Sequence, residues 1–105
     1  MAVVTKRLAK GLHNTSNPIS VYSAPSAIGA KTFIKALTIC SSSDTTDTSV
    51  SIMFAEVFVV RNFVLKPRQT ITIPYFDHIL ESGESIKLAS SPNTVNYYIS
   101  GREVT

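Results

Sequence analysis

Alternation between apolar and polar residues with a period of two is the feature that most constrains the fold of this chain. It is clear in residues 31–40 (KTFIKALTIC), 69–73 (QTITI) and 95–100 (VNYYIS). Successive side chains of a β-strand point to opposite faces of a sheet, so this pattern predicts strands with one buried face. Turn-forming residues separate the segments about every 8–12 residues. We therefore predict an all-β fold, a single antiparallel β-sandwich of seven or eight short strands, either jelly-roll or immunoglobulin-like.

Several strand boundaries follow from the same pattern. Residues 50–60 (VSIMFAEVFVV) are apolar and rich in β-branched and aromatic side chains, which predicts one long strand covered on both faces. Glu56 inside this run predicts an edge or interface position, and Arg61-Asn62 predicts a break after it. Pro74 predicts the end of the strand at 69–73, because proline cannot donate to a β-ladder.

Two further segments predict turns and loops. Residues 41–49 (SSSDTTDTS) contain no apolar side chain and predict an exposed loop or hairpin tip. Gly83 predicts a tight turn at residues 81–85, since glycine adopts unusual φ values at little cost.

The N-terminal segment differs from the rest of the chain. We divide the protein into a basic arm and linker at residues 1–18 and a β-sandwich domain at residues 19–105. Apolar residues spaced by four within residues 3–12 fit either helical turns or an extended arm, and both remain open. The arm residues that we expect to bind a partner are Lys6, Arg7, Leu8, Lys10 and Leu12.

The positive charge is concentrated in the first part of the chain. Net charge is +3, but residues 1–43 carry five cations and no acid, whereas residues 44–105 carry five cations and seven acids. The one tight cluster, Lys6-Arg7-x-x-Lys10, has no aromatic residue within it, unlike a typical nucleic-acid-binding surface. We do not expect nucleic-acid binding. The charge fits either a solvated arm or an arm docked on an acidic partner surface.

Size and composition favour assembly. A chain of 105 residues forms one domain and buries only about 60–65% of its unfolded surface. Small domains are commonly stabilised by disulfides, a metal or assembly, and a single cysteine excludes an internal disulfide. Only 16% of the residues are charged, and charged residues are depleted at the centres of protein interfaces. We find neither a secretory signal pattern nor an apolar run of membrane-spanning length, so no membrane association is expected.

The sequence contains no recognised catalytic motif. We find no G-x-S-x-G, Walker, H-E-x-x-H or C-x-x-C pattern. His13 lies beside the linker, and His78 follows Asp77 near a predicted turn, with no nucleophile alongside. Cys40 is expected to be a small buried hydrophobic residue. We therefore predict no enzymatic activity.

Two groups of residues remain as binding candidates. Asp44 and Asp47 supply too few oxygens for calcium, which takes six to eight ligands, so we predict no metal and no cofactor. Adjacent aromatic residues occur at Tyr75-Phe76 and Tyr97-Tyr98. Strand geometry places one ring of each pair inward and the other outward, where a tyrosine suits a protein or sugar contact. The candidate interface aromatics are Tyr75, Tyr97 and Tyr98.

Short motifs from about residue 20 to the end resemble a recurrent module of tailed-phage particles. They are Tyr22-Ser-Ala24-Pro25, the strand from Lys31 to Ser41, Leu80 to Ile86 (LESGESI) and Ile99 to Val104 (ISGREV). Such modules are small β-sandwich proteins or domains found as capsid decoration, tail and fibre components.

The resemblance implies a non-enzymatic virion structural protein without a cofactor. It implies partners among other virion proteins, either the major capsid protein or tail and connector proteins, and a homo-oligomer such as a trimer. It places the protein in the virion after synthesis in the host cytoplasm. Capsid decoration is the preferred role, and a tail, connector or fibre component or a carbohydrate-binding sandwich is the alternative.

Overall fold

Eight β-strands make up the fold, seen in a computed structural model that describes residues 3–13 and 16–105, apart from the side chains of residues 75–77. The strands are β1 (Val3–His13), β2 (Ile19–Ser23), β3 (Lys31–Ser41), β4 (Thr48–Phe54), β5 (Val57–Leu65), β6 (Thr70–Glu81), β7 (Ser85–Ser91) and β8 (Val95–Val104). In these ranges no helix has the length and apolarity needed to cross a membrane. The all-β prediction is confirmed.

The strands pair into two four-stranded antiparallel sheets. The first sheet has the order β1-β8-β3-β6 and the second has the order β2-β7-β4-β5. Every pairing in both sheets is antiparallel. Eight strands in two sheets with this order form a jelly roll. The predicted sandwich is confirmed, and of the two predicted types the structure has the jelly roll.

Apolar side chains from the inner faces of the two sheets form the core. In β3 the fully buried residues are Ile34, Leu37 and Ile39, and a bulge between Ile34 and Ala36 accounts for their uneven spacing. Unbroken alternation from Leu37 would put Phe33 on the buried face, but the bulge puts Ile34 there instead. Other fully buried members are Ile52, Leu65, Leu80, Ile86, Leu88, Val95 and Ile99.

The apolar run at residues 50–60 is a hairpin, so the prediction of one long strand is wrong. β4 ends at Phe54, Ala55 and Glu56 form the turn, and β5 returns from Val57. Both turn residues have positive φ, 52° and 66°, as a type I′ turn requires. Such turns favour Asn-Gly, so the Ala-Glu sequence carried no turn signal.

Arg61 and Asn62 lie within β5, so the predicted break there is also wrong. The register of β4 against β5 shifts between Val50 and Ile52, and Asn62 has a φ of 51°. The backbone N–H of Asn62 donates to Ser51 Oγ at 2.9 Å. The pattern interruption therefore marks a bulge, where the backbone finds a side-chain partner.

Pro74 does not end its strand. β6 continues through it to Glu81, with Pro74 opposite Ala36 and a register shift just beyond. β6 lies at the edge of the first sheet, where a residue without an N–H is tolerated. The tight turn predicted at Gly83 is confirmed, since its φ is 76° and the Glu84 N–H donates to the Glu81 carbonyl at 3.1 Å.

Residues 3–13 form strand β1 of the sandwich, in contrast to the separate arm drawn from the sequence. β1 runs antiparallel to β8, from Val3 opposite Val104 to His13 opposite Val95. A bulge at Leu8 breaks its alternation, so Leu8 packs against the core whereas Val4 and Leu12, four residues away on either side, are exposed. Of the two open conformations, the extended one is found, and the boundary at residue 18 does not separate two structural units.

Candidate binding face

β8 presents Tyr98 to solvent and turns Tyr97 toward the core. Val95 and Ile99 are fully buried, so even-numbered neighbours point outward, and Tyr98 is 48% exposed. Tyr97 packs against the core cluster. Its hydroxyl oxygen lies 3.1 Å from where a Cβ on Gly11 would be. The prediction that one ring of this pair is covered and the other exposed is confirmed.

Strand register brings Tyr98 together with residues of β1 and β3. Lys10 lies opposite Tyr98 on one side, and Thr38 lies opposite it on the other. One step along, Asn96 lies between Leu12 and Cys40. A groove of about 500 Å³ is formed here on the outer face of the first sheet, which we call the outer groove. It is lined by Lys10, Gly11, Leu12, Thr38, Cys40, Asn96, Tyr97 and Tyr98.

The outer groove is largely apolar. Leu12 is 68% exposed and, with the Tyr98 ring, adds apolar surface to its lining. Cys40 is half-buried in this groove, so the expectation of a buried core cysteine is wrong. The Cys40 side chain points outward because side chains alternate along β3 and Ile39 points into the core. Exposed apolar surface of this kind often marks a site of interaction.

Cations lie beside the outer groove on the same face. Arg7 pairs with the outward Ser100, and Arg102 lies opposite the half-buried Phe33, with its guanidinium carbon 5.0 Å from the ring centre. Within the part of the chain that the structure describes, Arg7, Lys10 and Arg102 form no ion pair. Residues 3–13, 31–41, 70–74 and 95–102, which build most of this sheet, contain no acidic residue. Around the outer groove, the described side chains of β1 and β8 therefore include these cations and no acid that pairs with them.

The five arm residues predicted to bind a partner do not act as one group. Arg7, Lys10 and Leu12 are on the outer face, whereas the bulge residue Leu8 packs against the core. Lys6 lies beside Glu103, with Nζ and Oε1 3.2 Å apart. Arg7, Lys10 and Leu12 are therefore surface residues, whereas Leu8 and Lys6 make contacts within the fold.

Tyr22 joins Lys6 and Glu103 in a polar cluster at one end of the sandwich. The Tyr22 hydroxyl donates to the Glu103 carboxylate and is 3.0 Å from the Thr32 hydroxyl. Burial and, after it, the neighbouring Glu103 carboxylate together raise the pKa of Tyr22 to about 12. The cluster links β1, β2, β3 and β8, so it ties the N-terminal strand to both sheets.

The remaining sequence candidates do not form a site. The Tyr75 side chain, like that of Asp77, lies outside the described side chains. His78 is in β6 rather than at a turn, and its ring packs edge-on against Phe54 with centroids 5.4 Å apart. His13 is buried, and its carbonyl accepts from the Ser90 hydroxyl at 2.9 Å. Because the Asp77 side chain is not described, the structure does not show it together with His78.

The acidic loop at residues 42–47 is exposed, but the prediction of a loop over residues 41–49 was too wide, because Ser41 and Thr48 are buried in β3 and β4. The acids of this loop lie near cations. Asp47 Oδ2 is 3.6 Å from Lys66 Nζ, and Asp44 Oδ1 is 3.8 Å from Arg68 Nε. Among the described residues, no group of three or more His, Cys, Asp or Glu side chains is arranged to hold a metal ion.

A second apolar surface lies on the edge strand β5. Val57, Phe58, Phe63 and Val64 are 40 to 62% exposed. Arg61 covers part of the Phe58 ring, with its guanidinium carbon 5.0 Å from the ring centre. We call these four apolar side chains the β5 strip. The sequence did not predict the β5 strip, because residues 57–60 were expected to belong to a long strand covered on both faces.

Sequence reasoning also missed Thr38, Cys40, Asn96 and Arg102 as members of the outer face. Their outward direction was readable from alternation with covered residues in residues 36–40 and 95–102. Their proximity to Lys10 and Leu12 was not, because it depends on β1 pairing with β8 and β8 pairing with β3.

No protein-family model matches the chain, and no curated protein matches it by sequence. Solved structures are similar in fold. They include Bacillus endospore appendages, described as disulfide-linked pili, with a TM-score of 0.55 and 10% identity over 98% of this chain and 88% of the other.

Two virus structures are also similar. The virus-like particle of the Macrobrachium rosenbergii extra small virus has a TM-score of 0.50 and 12% identity, over 99% of this chain and 79% of the other. The cyanophage Pam1 capsid has a TM-score of 0.50 and 9% identity, over 96% of this chain and 83% of the other. Virus capsid proteins and pili with a β-sandwich fold are thus among the similar structures. At these identities the similarity establishes the fold alone.

Proposed function

We propose that this protein is a non-enzymatic structural protein of a bacteriophage virion, which decorates and stabilises the capsid as a homo-oligomer. The motif resemblance of residues 20–105 supports the phage origin. The jelly roll is used by many viral capsid proteins. The observation that carries the proposal is the β5 strip, because an exposed apolar edge strand is a template for association.

The other three sheet edges are protected against such association. β1 carries Lys6, Arg7 and Lys10, β6 contains Pro74, and β2 has only five residues. Charge, proline and short length are the usual protections of edge strands. β5 has nine residues and a single charge, Arg61, beside its bulges. Its apolar side chains are therefore the surface that we assign to the contact between copies.

Solution mass tests the homo-oligomer. Light scattering and native mass spectrometry over a range of concentrations are expected to give an oligomer such as a trimer. Phe58→Asp is expected to give a monomer with an unchanged circular dichroism spectrum. Ile28→Asp is the matched control, since Ile28 is fully exposed in the loop between β2 and β3. A wild-type monomer at all concentrations would contradict the proposal.

Location in the particle tests the virion role. Electron cryomicroscopy of phage particles assembled with the tagged protein is expected to show it on the capsid surface. Density at the tail, connector or fibre would replace decoration by that alternative. Its absence from purified particles would remove the virion proposal altogether.

Carbohydrate binding is the second candidate function, supported by the outer groove. An exposed Tyr98 ring beside Asn96 and Lys10 provides an apolar platform with polar groups at its edge. Screening against immobilised glycans tests this function, with Tyr98→Ala as the variant that should abolish retention. If the protein forms an oligomer but no glycan retains it, the result favours the structural role.

A further inference from the structure

The outer face of β1 and β8 combines three features of an interaction surface. It has an apolar groove of about 500 Å³, exposed Leu12 and Tyr98 beside it, and cations without described ion-pair partners. The described acidic side chains lie away from the outer groove, in the loop at residues 42–47, at the turns at residues 55–56 and 81–84, and at Glu103, which contacts Lys6 and Tyr22. A ligand for this face would therefore meet positive charge and apolar surface together.

The geometry favours carboxylates that lie to one side of an apolar side chain. Lys10 is in the groove lining itself, and Arg7 lies on the same strand beyond the bulge at Leu8. Alternate residues of an extended strand are about 7 Å apart, so these cations lie roughly 10 Å apart along β1. An acidic segment in which a leucine or phenylalanine follows two carboxylates matches this order, because Arg7 and Lys10 come first along β1 and the groove extends from Lys10 toward Leu12.

Aromatic rings argue against a nucleic acid as the occupant. Single-stranded nucleic acid is held by successive bases stacked on exposed rings. Of the described aromatic side chains on this face, Tyr98 is exposed, whereas the Phe33 ring is already covered by the Arg102 guanidinium. One free ring does not form a stacking platform, whereas Tyr and Arg are typical of protein interfaces.

We infer that the outer face of β1 and β8 binds an acidic surface of a partner protein, with its carboxylates on Arg7 and Lys10 and an apolar side chain in the outer groove. The identity of that partner as a virion protein rests on the proposed function. The inference also gives an orientation, because it turns the first sheet toward the partner and leaves the β5 strip of the second sheet for contacts between copies.

Peptide binding by the full chain tests the charge preference directly. The probe is a short fluorescein-labelled peptide with two glutamates followed by a leucine. We expect saturable binding that weakens as salt is raised, because exposed charge contacts are screened. Arg7→Glu with Lys10→Glu is expected to weaken binding about tenfold, as loss of two charge contacts across an interface does. The same peptide with glutamine in place of glutamate is expected to bind as weakly.

A charge-matched control separates the face from net charge. Lys66→Glu with Arg68→Glu makes the same change in net charge at the β5–β6 turn and is expected to leave peptide affinity unchanged. Cys40 is the only cysteine, so its labelling rate with a thiol reagent reports occupancy of the outer groove. The acidic peptide is expected to slow that labelling.

Three results would overturn the inference. They are absence of saturable peptide binding, an equal loss in the control variant, and tighter binding of an oligothymidylate of similar length, which would make nucleic acid the occupant. The proposed function fails separately, through absence of the protein from particles. Particles that still incorporate the Arg7→Glu, Lys10→Glu protein would overturn the orientation while leaving the virion role intact.

Discussion

Leu8 of β1 packs directly against Gly101 of β8. A Cβ atom on Gly101 would lie 2.8 Å from Leu8 Cδ1 and 2.3 Å from the Phe33 carbonyl oxygen. Gly101 is therefore required for the close approach of three neighbouring strands, since β8 lies between β1 and β3.

Gly101→Ala is expected to destabilise the protein by at least about 2 kcal/mol, because the added methyl group meets a backbone atom that cannot move without disturbing β3. The free energy of unfolding from a denaturant titration measures this effect. Ser100→Ala is the control on the adjacent, outward position, where no such loss is expected. Equal stability of the two variants would refute the close packing of Leu8 and Gly101.

The turn between β4 and β5 stores backbone strain that glycine would relieve. Glu56 has a φ of 66°, a region that costs an L-residue about 1–2 kcal/mol. Glu56→Gly removes that cost but also the contact with Lys87, whose Nζ lies 2.5 Å from the carboxylate. Relative to Glu56→Gln, which removes only the charge, Glu56→Gly is expected to raise the free energy of unfolding by about 1 kcal/mol.

Substitution of Gly83 tests the cost of positive φ in the opposite direction, by adding a side chain. Its φ is 76°, and nothing lies within 4 Å of a Cβ placed there. Gly83→Ala is therefore expected to lower stability by about 1 kcal/mol through backbone conformation alone. If thermal unfolding shows no difference at either turn, positive φ is not the source of the effect.

Strands with clear alternation could be predicted from the sequence, whereas those interrupted by bulges or by an unusual turn could not. β3 and β8 alternate because each buries one face, and the eight strands observed lie within the predicted range of seven or eight. β1 was not recognised, because its bulge at Leu8 disturbs the period and its partner β8 is distant in the chain. The hairpin at Ala55-Glu56 lacked a glycine signal.

The binding face was predicted only in fragments for a similar reason. Lys10, Leu12 and Tyr98 were each candidates, but nothing local indicated that they are neighbours. Register across β1, β8 and β3 brings them together, and such long-range pairing is not encoded in any short segment.

Stability is expected to fall at high pH because of Tyr22. Its pKa is about 12 in the folded protein against 10.0 for the free side chain, mainly through burial and then through the Glu103 carboxylate. The unfolded chain therefore loses the Tyr22 proton first, so the stabilising contribution is complete below pH 10 and is lost as pH rises toward 12. Melting temperatures across this range measure the loss.

Tyr22→Phe isolates that contribution from the titration of other groups. The variant is expected to be less stable at neutral pH, because the buried Thr32 hydroxyl and Glu103 lose a partner. It is also expected to lose less stability than the wild type between pH 10 and 12. Tyr98→Phe serves as the control on an exposed ring, and parallel pH curves for all three proteins would exclude Tyr22 as the source.

Removal of β1 tests whether the N-terminal segment is a detachable arm or part of the fold. Deleting residues 1–12 would remove Leu8 from the core and leave β8 as a new edge strand. Loss of a half-buried leucine that packs against the core costs about 1 kcal/mol, and an open edge promotes aggregation. We expect a lower melting temperature and a smaller soluble fraction. Arg7→Gln with Lys10→Gln keeps the strand but removes its charge, and is expected to melt like the wild type. Unchanged stability of the truncated protein would instead indicate that the N-terminal segment is an independent arm.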